Sequence, residues 1–514
     1  MPPVGAQAQG AWAADPHRDQ IADLVELAVF GDEAASRKEA VALLEDAGIG
    51  EGSPAERAFK LLMALGIFTQ DENLFVHRFH LRRSFPAEVQ RAAVVAAGRA
   101  IDLEARRDLR SLHVFTIDDD LTMELDDAVS VEVSEGATLV GIHIADPDCF
   151  VASGDPVDQE AMARAATYYF PEMKLPMIPA AVAEGAASLV PGQDRPALSF
   201  LATLSQLGEV IRSEIVPSMI RSRARLTYER ADELLGGADA GDPAAVALSR
   251  LRPICEILES ARVAAGAVVI RAAEVDIRVD PSGGISIRRI DDRGLSRRIV
   301  SEVMILANRL AADFCGRRGL PAIYRKQAPP MAEPAAVDAA PPEGSGDPGA
   351  YDPVAVRALR RRMRRGETSL IPAPHAGLGL PAYTQATSPI RRYQDLVVHR
   401  QIKAALRGQA VPYDAEALSR IAATTDEAER AAREAERGTD EYWILRHYGG
   451  RIGQVIEGTI VSVDARRVEV ELTDTLYTAQ LPPRPDYKPG QRLRLSIEAS
   501  RPRAGRLTLR EVDA

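Results

Sequence analysis

The chain has 514 residues, 46% hydrophobic and 27% charged, with a formal net charge of −11. That composition excludes wholesale disorder and leaves room for more than one domain. The acidic balance excludes a protein that coats nucleic acid indiscriminately, because such binding needs a basic surface. Cys149, Cys255 and Cys315 are far apart and lack metal-type spacing, which argues against a disulfide framework or a zinc site and fits a reducing cytoplasm. No run of ~18 apolar residues is present to span a bilayer, and the start carries no basic-then-apolar leader, so no membrane association is expected.

Residues 1–18 read as a flexible tail. Over residues 19–84, Ile21, Leu24, Val25 and residues 27–29 make one helical stripe, residues 38–47 a second and residues 54–65 a third. Residues 67–78 predict two short strands around Asp71, Glu72 and Asn73. Three helices and a hairpin outline a winged helix-turn-helix domain. That topology serves RNA or partner binding and equally plain scaffolding, and no strongly basic third helix selects between them. Residues 85–109, rich in Ala and Arg, predict a helix leading into a central domain that runs to residue 450.

Residues 116–133 read T-I-D-D-D-L-T-M-E-L-D-D-A-V-S-V-E-V. Val129, Val131 and Val133 alternate with polar residues, the period of a half-buried strand. Clustered carboxylates ahead of it repel one another, so a fold that gathers them must supply open water or a cation. Magnesium takes oxygen ligands, with one or two carboxylates completed by water and phosphate. Asp118, Glu124, Asp126 and Asp127 have a spacing that suits such a site; an acidic surface turn is the alternative reading of the run by itself.

Further on, residues 139–145 form an apolar strand ending in A-D-P-D-C-F, and residues 158–166 a short helix. T-Y-Y-F-P (167–171) and L-P-M-I-P (175–179) follow, then a strand pair over 196–204 and 210–216, and S-R-A-R-L-T-Y-E-R over 222–230. Glu302 lies among Ile299, Val300, Val303, Met304 and Leu306, an apolar helix with a narrow solvated face. Residues 327–351, rich in Pro, Ala and Gly, read as a flexible insertion. The basic run 357–365 reads as an RNA-channel lining or a solvated face. In Y-T-Q-A-T-S-P-I-R-R-Y-Q-D-L-V-V-H-R (383–400), Ser388 and Pro389 predict a helix start with Arg391 and Arg392 near its N-terminal end. Cations there oppose the helix dipole, so an anion such as phosphate is the better reason for them. His399 reads as structural, with no nucleophile pattern beside it. Residues 415–448 predict a long charged helix. From residue 453 five strand signals with Gly and Pro turns outline an OB-fold module over 451–514, with Arg484, Lys488, Arg492, Arg494, Arg501, Arg503 and Arg506 in its second half.

The acid stretch and the 383–400 stretch together resemble the RNase II/RNase R (RNB) family of processive 3′-to-5′ exoribonucleases. The motif T-I-D-x(5)-D-x-D-D is matched in spacing, with Glu124 where the family usually has aspartate, and T-S-P-I-R-R-Y is present letter for letter. The resemblance runs from about residue 115 to about residue 407. It implies an α+β multidomain chain: a winged-helix-like domain, a central RNB catalytic domain with a mixed sheet and surrounding helices, and a C-terminal OB barrel. The cold-shock domains that precede familiar RNB catalytic domains are replaced here. It also implies magnesium, with manganese as a substitute, on Asp118, Asp126 and Asp127, with Glu124 beside them, and Arg391 at the scissile phosphate with Arg392 next to it. Tyr169 corresponds to an aromatic that stacks on a base near the 3′ end, and Tyr228 and Glu302 to a pair that holds the terminal nucleotide, where a 2′-OH both donates and accepts. An aliphatic near Ile277 stands in for an aromatic that closes on the terminal base, and Gln385 for a histidine. The implied partner is single-stranded RNA, met as a monomer. An RNA-binding regulator on an RNB scaffold and a winged-helix DNA-binding regulator are the rival classes.

Overall fold

The computed structural model describes residues 15–134, 136–291, 294–331 and 351–512. Most of the predicted tail and of the predicted insertion lies outside the described residues. Three helices, α1 (Arg18–Phe30), α2 (Arg37–Asp46) and α3 (Pro54–Ala64), bury Leu27, Leu44 and Leu62 against one another. Ser53 and Glu56 close a reciprocal capping box at the start of α3. The hairpin predicted over 67–78 does not form. The Asn73 side chain accepts from the backbone N–H groups of Phe75 and Val76 and starts a short helix, α4 (Leu74–Arg78); a cap costs less than an unpaired two-strand ribbon.

The helix predicted over 85–109 is only α5 (Ala87–Ala97), ended at Gly98. After β1 (Arg107–Asp108) come β2 (Val114–Asp118), β3 (Asp127–Ser134), β4 (Ala137–Ala145), α6 (Pro156–Arg164), the small hairpin β5 (Tyr168–Tyr169) and β6 (Lys174–Leu175), β7 (Asp194–Ser205) and β8 (Val210–Thr227). The strand order β1-β8-β2-β3-β4-β7, with a further β7–β8 pairing, closes the sheet on itself. It is mixed: β2 runs parallel to β8, and the β2–β3, β3–β4, β4–β7 and β7–β8 pairs are antiparallel. One face is covered by α7 (Tyr228–Leu235) and α8 (Pro243–Ala264); past the ribbon β9 (Ala273–Val279) and β10 (Ile285–Asp291), α9 (Leu295–Arg317) joins them. Beyond β11 (Tyr324–Lys326), α10 (Pro353–Arg362) and β12 (Glu367–Ser369), the almost wholly buried α11 (Tyr393–Leu406) and the start of α12 (Ala415–Gly449) pack with α5 and α6 on the other side.

Strands β13 (Val455–Val463), β14 (Val468–Leu472), β15 (Thr478–Leu481), β16 (Arg492–Arg501) and β17 (Arg506–Glu511) form a five-stranded sheet in the order β15-β14-β13-β16-β17. Its edge strands return toward each other as a nearly closed OB-type barrel. Ile277 of β9 is buried in this barrel's core with Trp443 of α12. It is therefore a packing residue rather than a stand-in for a base-closing aromatic. The basic run is also divided: Arg357 and Arg361 of α10 face Glu469 of β14, which docks the barrel. Arg503 reaches across to the N-terminal helices, donating to the backbone oxygens of Glu72 (2.7 Å) and Gln70 (3.0 Å) and lying over Phe59 and Tyr442. Among the described residues no helix is long and apolar enough to cross a membrane.

Candidate active site

The site forms where strand ends meet. Parallel pairing sets Asp118 of β2 opposite Thr227 of β8, and antiparallel pairing of Phe115 with Val129 carries the end of β2 to the entry of β3, where Asp126 and Asp127 stand. The intervening loop is pinned from below, because Ser188 Oγ accepts from Leu125 N (3.0 Å) and donates to Met123 O (2.9 Å). Thr227 caps α7, so Tyr228 opens that helix beside the acids. Its hydroxyl is pushed above the usual tyrosine range by burial, with the charge of Asp127 adding, and the Arg297 guanidinium lies 4.0 Å from the ring centroid.

Burial dominates the electrostatics of the acids. Asp118 and Asp127 are both pushed up to about 7 by burial; Asp118's charge adds for Asp127, while Arg225 pulls Asp118 down and Arg391 and Arg392 pull Asp127 down. Asp126 is raised well above the carboxylate range, again by burial, against Arg391 and the Ile390 N–H. That N–H donates to Asp126 Oδ1 at 2.9 Å, while Oδ2 has Arg391 Nε at 3.6 Å. The buried atoms Asp118 Oδ2, Glu124 Oε1 and Asp126 Oδ2 have no hydrogen-bond partner. Buried carboxylate oxygens without donors are what a hard cation fits. Among the described residues no three His, Cys, Asp or Glu side chains converge into a metal cage. The donor set therefore suits an ion held by one or two carboxylates and completed by water and phosphate oxygens, the usual magnesium pattern.

The helix predicted to open at Ser388 begins at Tyr393, with Arg392 as its N-cap residue. The preceding turn is held by Asp395, which accepts from Ser388 N (2.9 Å) and bidentately from Arg392 (3.0 and 2.7 Å). Arg392 thus serves the turn, while Arg391, 43% exposed, faces both Asp126 and the groove. The turn is bonded to the β5–β6 hairpin through Thr167 N and Arg391 O (3.0 Å), which sets Tyr169 beside it. Tyr169, Arg325, Arg365, Tyr383, Arg391 and Arg433 line a groove of about 670 Å³. Gln385 also lines it and accepts from Arg325 Nε at 3.1 Å. Arg325 and Arg433 escaped sequence reading because they come from β11 and α12, which only the fold brings to the site; Tyr383 opens the 383–400 stretch but carries no signal of a role there.

Two other expectations change. Glu302 is not the partner of Tyr228: its carboxylate is taken by Arg262 of α8, with Nε at 3.0 Å. Positions 297 and 302 of α9 point to different sides, so Arg297 meets Tyr228 and Glu302 meets α8. Glu124 is buried at 5% exposure; Tyr169 Oη donates to its Oε2 (3.1 Å) and Lys174 Nζ lies 3.3 Å from its Oε1. Beneath the site, Asp146 is buried between Arg106 (2.5 Å) and Lys403 (2.7 Å), and Arg400 joins Asp148 and Asp158, both at 2.7 Å. These ion pairs fix α11, and with it the Arg391 turn. His399 Nε2 donates to Ala386 O (2.7 Å), a structural contact.

The family model described as "RNB domain" matches residues 106–408. The chain belongs to the RNB family. A second model, "Double HTH domain", matches residues 4–74. RNB-family relatives include an uncharacterized ribonuclease of Synechocystis sp., 34% identical over 90% of this chain and 69% of that protein. Ribonuclease R of Thermotoga maritima is 32% identical over 76% of this chain and 60% of its own length. The fold is similar to that of Mycoplasma genitalium RNase R, solved with ribose-methylated single-stranded RNA, at a TM-score of 0.75 and 19% identity over 90% of this chain and 82% of that one. The chain spans about 60–69% of the length of the two relatives compared by sequence.

Proposed function

We propose that this RNB-family chain is a processive 3′-to-5′ exoribonuclease that hydrolyses single-stranded RNA to nucleoside 5′-monophosphates and depends on magnesium, with manganese able to replace it. The observation that carries the reading is the meeting of the donor-less buried oxygens of Asp118 and Asp126 with Arg391 at the wall of an arginine-rich groove.

Asp118, Asp126 and Asp127 would supply the one or two carboxylates that hold the metal, which when bound would supply Lewis acidity and an activated water for phosphodiester hydrolysis. Arg391 faces the same place and stabilises the charge that develops on the scissile phosphate. Arg365 and Arg433 would meet backbone phosphates without reading sequence, beside Arg325, whose guanidinium is held by Glu429 and Asp426. Tyr169 offers a ring face for the terminal base, a contact that tolerates every base. Tyr228, beside Asp118 and Asp127, supplies a hydroxyl at the ribose level. Release of one nucleotide leaves a new 3′ end in a groove whose contacts are to backbone and ring faces, so the strand advances by the same contacts it leaves.

The test is digestion of 5′-labelled single-stranded RNA with magnesium, beside EDTA and Asp126→Asn controls. A ladder shortening from the 3′ end to a short limit product, lost in both controls, supports the reading. RNA that is bound but stays intact in every arm supports the RNA-binding regulator instead.

A further inference from the structure

Glu124 stands where the family usually has aspartate, and two neighbours meet its carboxylate. Tyr169 of β5 and Lys174 of β6 are direct cross-strand partners, and both reach the same carboxylate. Tyr169 Oη donates to Glu124 Oε2 at 3.1 Å, and Lys174 Nζ lies 3.3 Å from Oε1. The ammonium also donates to Glu184 Oε1 at 2.5 Å. It thereby bridges two carboxylates that would otherwise face each other without a cation. Glu184 and Lys174 are each 30% exposed at the side chain and Glu124 only 2%, so the charge most in need of a partner is Glu124. An aspartate there would end about 1.5 Å short and leave the tyrosine hydroxyl without its acceptor. Tyr169 itself is 46% exposed, with its ring on the groove and its backbone N–H on Glu436 Oε1 at 3.0 Å.

We propose that Lys174 is a positioning residue for the 3′-terminal nucleotide: it fixes Glu124, and Glu124 fixes the hydroxyl of Tyr169, so that the ring is presented to the terminal base. In this chain Glu124 then anchors a base-stacking platform. The inference rests on the reading of Tyr169 as the residue that stacks on the 3′ base.

The test uses the full chain and an RNA oligomer carrying 2-aminopurine at its 3′ end. Its fluorescence is read in EDTA, where nothing is cleaved, and steady-state kinetics are read with magnesium. Lys174→Met is expected to lose most of the terminal quench and to raise KM roughly fivefold, the scale of one partly exposed ion pair, with kcat changed less. Lys174→Arg, which keeps the cation, restores both readouts. Tyr169→Phe keeps the ring but loses the tether, so it matches Lys174→Met, and the double variant is no worse than either. A Lys174→Met protein that quenches like the parent while Tyr169→Ala does not overturns the role of Lys174 alone. A Tyr169→Ala protein that still quenches overturns the stacking reading and the inference with it. Additive losses in the double variant also overturn the inference.

Discussion

Without a divalent ion the acid cluster works against the fold, and Asp127→Asn measures by how much. Burial pushes both Asp118 and Asp127 from the ordinary 3.8 up to about 7. A folded-state value above the unfolded one means that the folded protein keeps protons which the unfolded chain has already released. Stability is therefore fully present below about 3.8 and is lost as the pH rises to about 7. Three units correspond to about 4 kcal/mol; screening through the open groove and the sharing of the effect between the two acids bring one substitution to ~2 kcal/mol. The isosteric amide removes the charge and exchanges one acceptor oxygen for an NH2 donor. In EDTA at pH 8, Asp127→Asn should raise the melting temperature of the catalytic domain by about 4 °C, and the gain should fade as the pH is lowered toward 5. Magnesium should then stabilise the parent protein more than the variant, because an ion that binds only the folded state adds to its stability. An Asp127→Asn protein that melts below the parent in EDTA at pH 8 would refute the claim that this carboxylate is held at a cost.

Arg391→Met should slow single-turnover hydrolysis ~100-fold, as loss of one transition-state donor does, while RNA affinity measured by anisotropy in EDTA changes by only about threefold. Asp146→Ala leaves the buried Arg106 and Lys403 facing each other without their shared carboxylate, and should destabilise the fold by ~3–5 kcal/mol, read in urea titrations. Asp146's carboxyl is held below the usual range by Lys403 and Arg106 against its burial, so the stability it contributes is present above about 3.8 and lost only in strong acid. Gly438→Ala would drive a Cβ into the Phe75 ring; the docking of α4 on α12 should weaken by about 1–3 kcal/mol, and limited proteolysis should then cut between residues 78 and 87.

What was legible in the sequence was chemistry carried by neighbouring residues. The acid stretch announces itself because six carboxylates within ten residues have few bland uses, and the S-P-I-R-R turn because its cations sit at the wrong end of a helix for the dipole. Element type followed from periodicity for α12, for the sheet strands and for the barrel. Competition between local and tertiary terms decided the rest. Residues 67–78 hold apolar residues at a spacing that suits either strand or helix, and Asn73 with its two backbone bonds tips them to helix. Glu302 reads as a lone acid in an apolar helix, and only packing reveals that Arg262, forty positions away, takes it. Lys174 carries no signal by itself, since its meaning depends on Glu124 and Glu184 lying on either side of it in space.

Net charge does not set the potential at one site, because charge acts locally. The arginines of the basic run are drawn partly to Glu469 of the barrel, and Arg503 is enclosed between the domains, so a raw count of cations misstates the potential at the groove. Arg391, Arg392, Arg325, Arg365 and Arg433 gather from four separate segments around one groove that Glu429 and Glu436 also line, with Arg325 and Arg433 both paired to Glu429. Low-dielectric walls make such a group count for more than the same charges spread over a surface. The same walls raise the acids, and the buried ion pairs on α11 keep both sets in place. The acids and these arginines are only partly matched: Arg391 lies 3.6 Å from Asp126 and stays 43% exposed, while Asp118 Oδ2 and Asp126 Oδ2 lack a hydrogen-bond partner. On the proposed function, a polyanion carried in with a divalent ion would satisfy both sides at once, whereas a neutral ligand would leave the acids as they are.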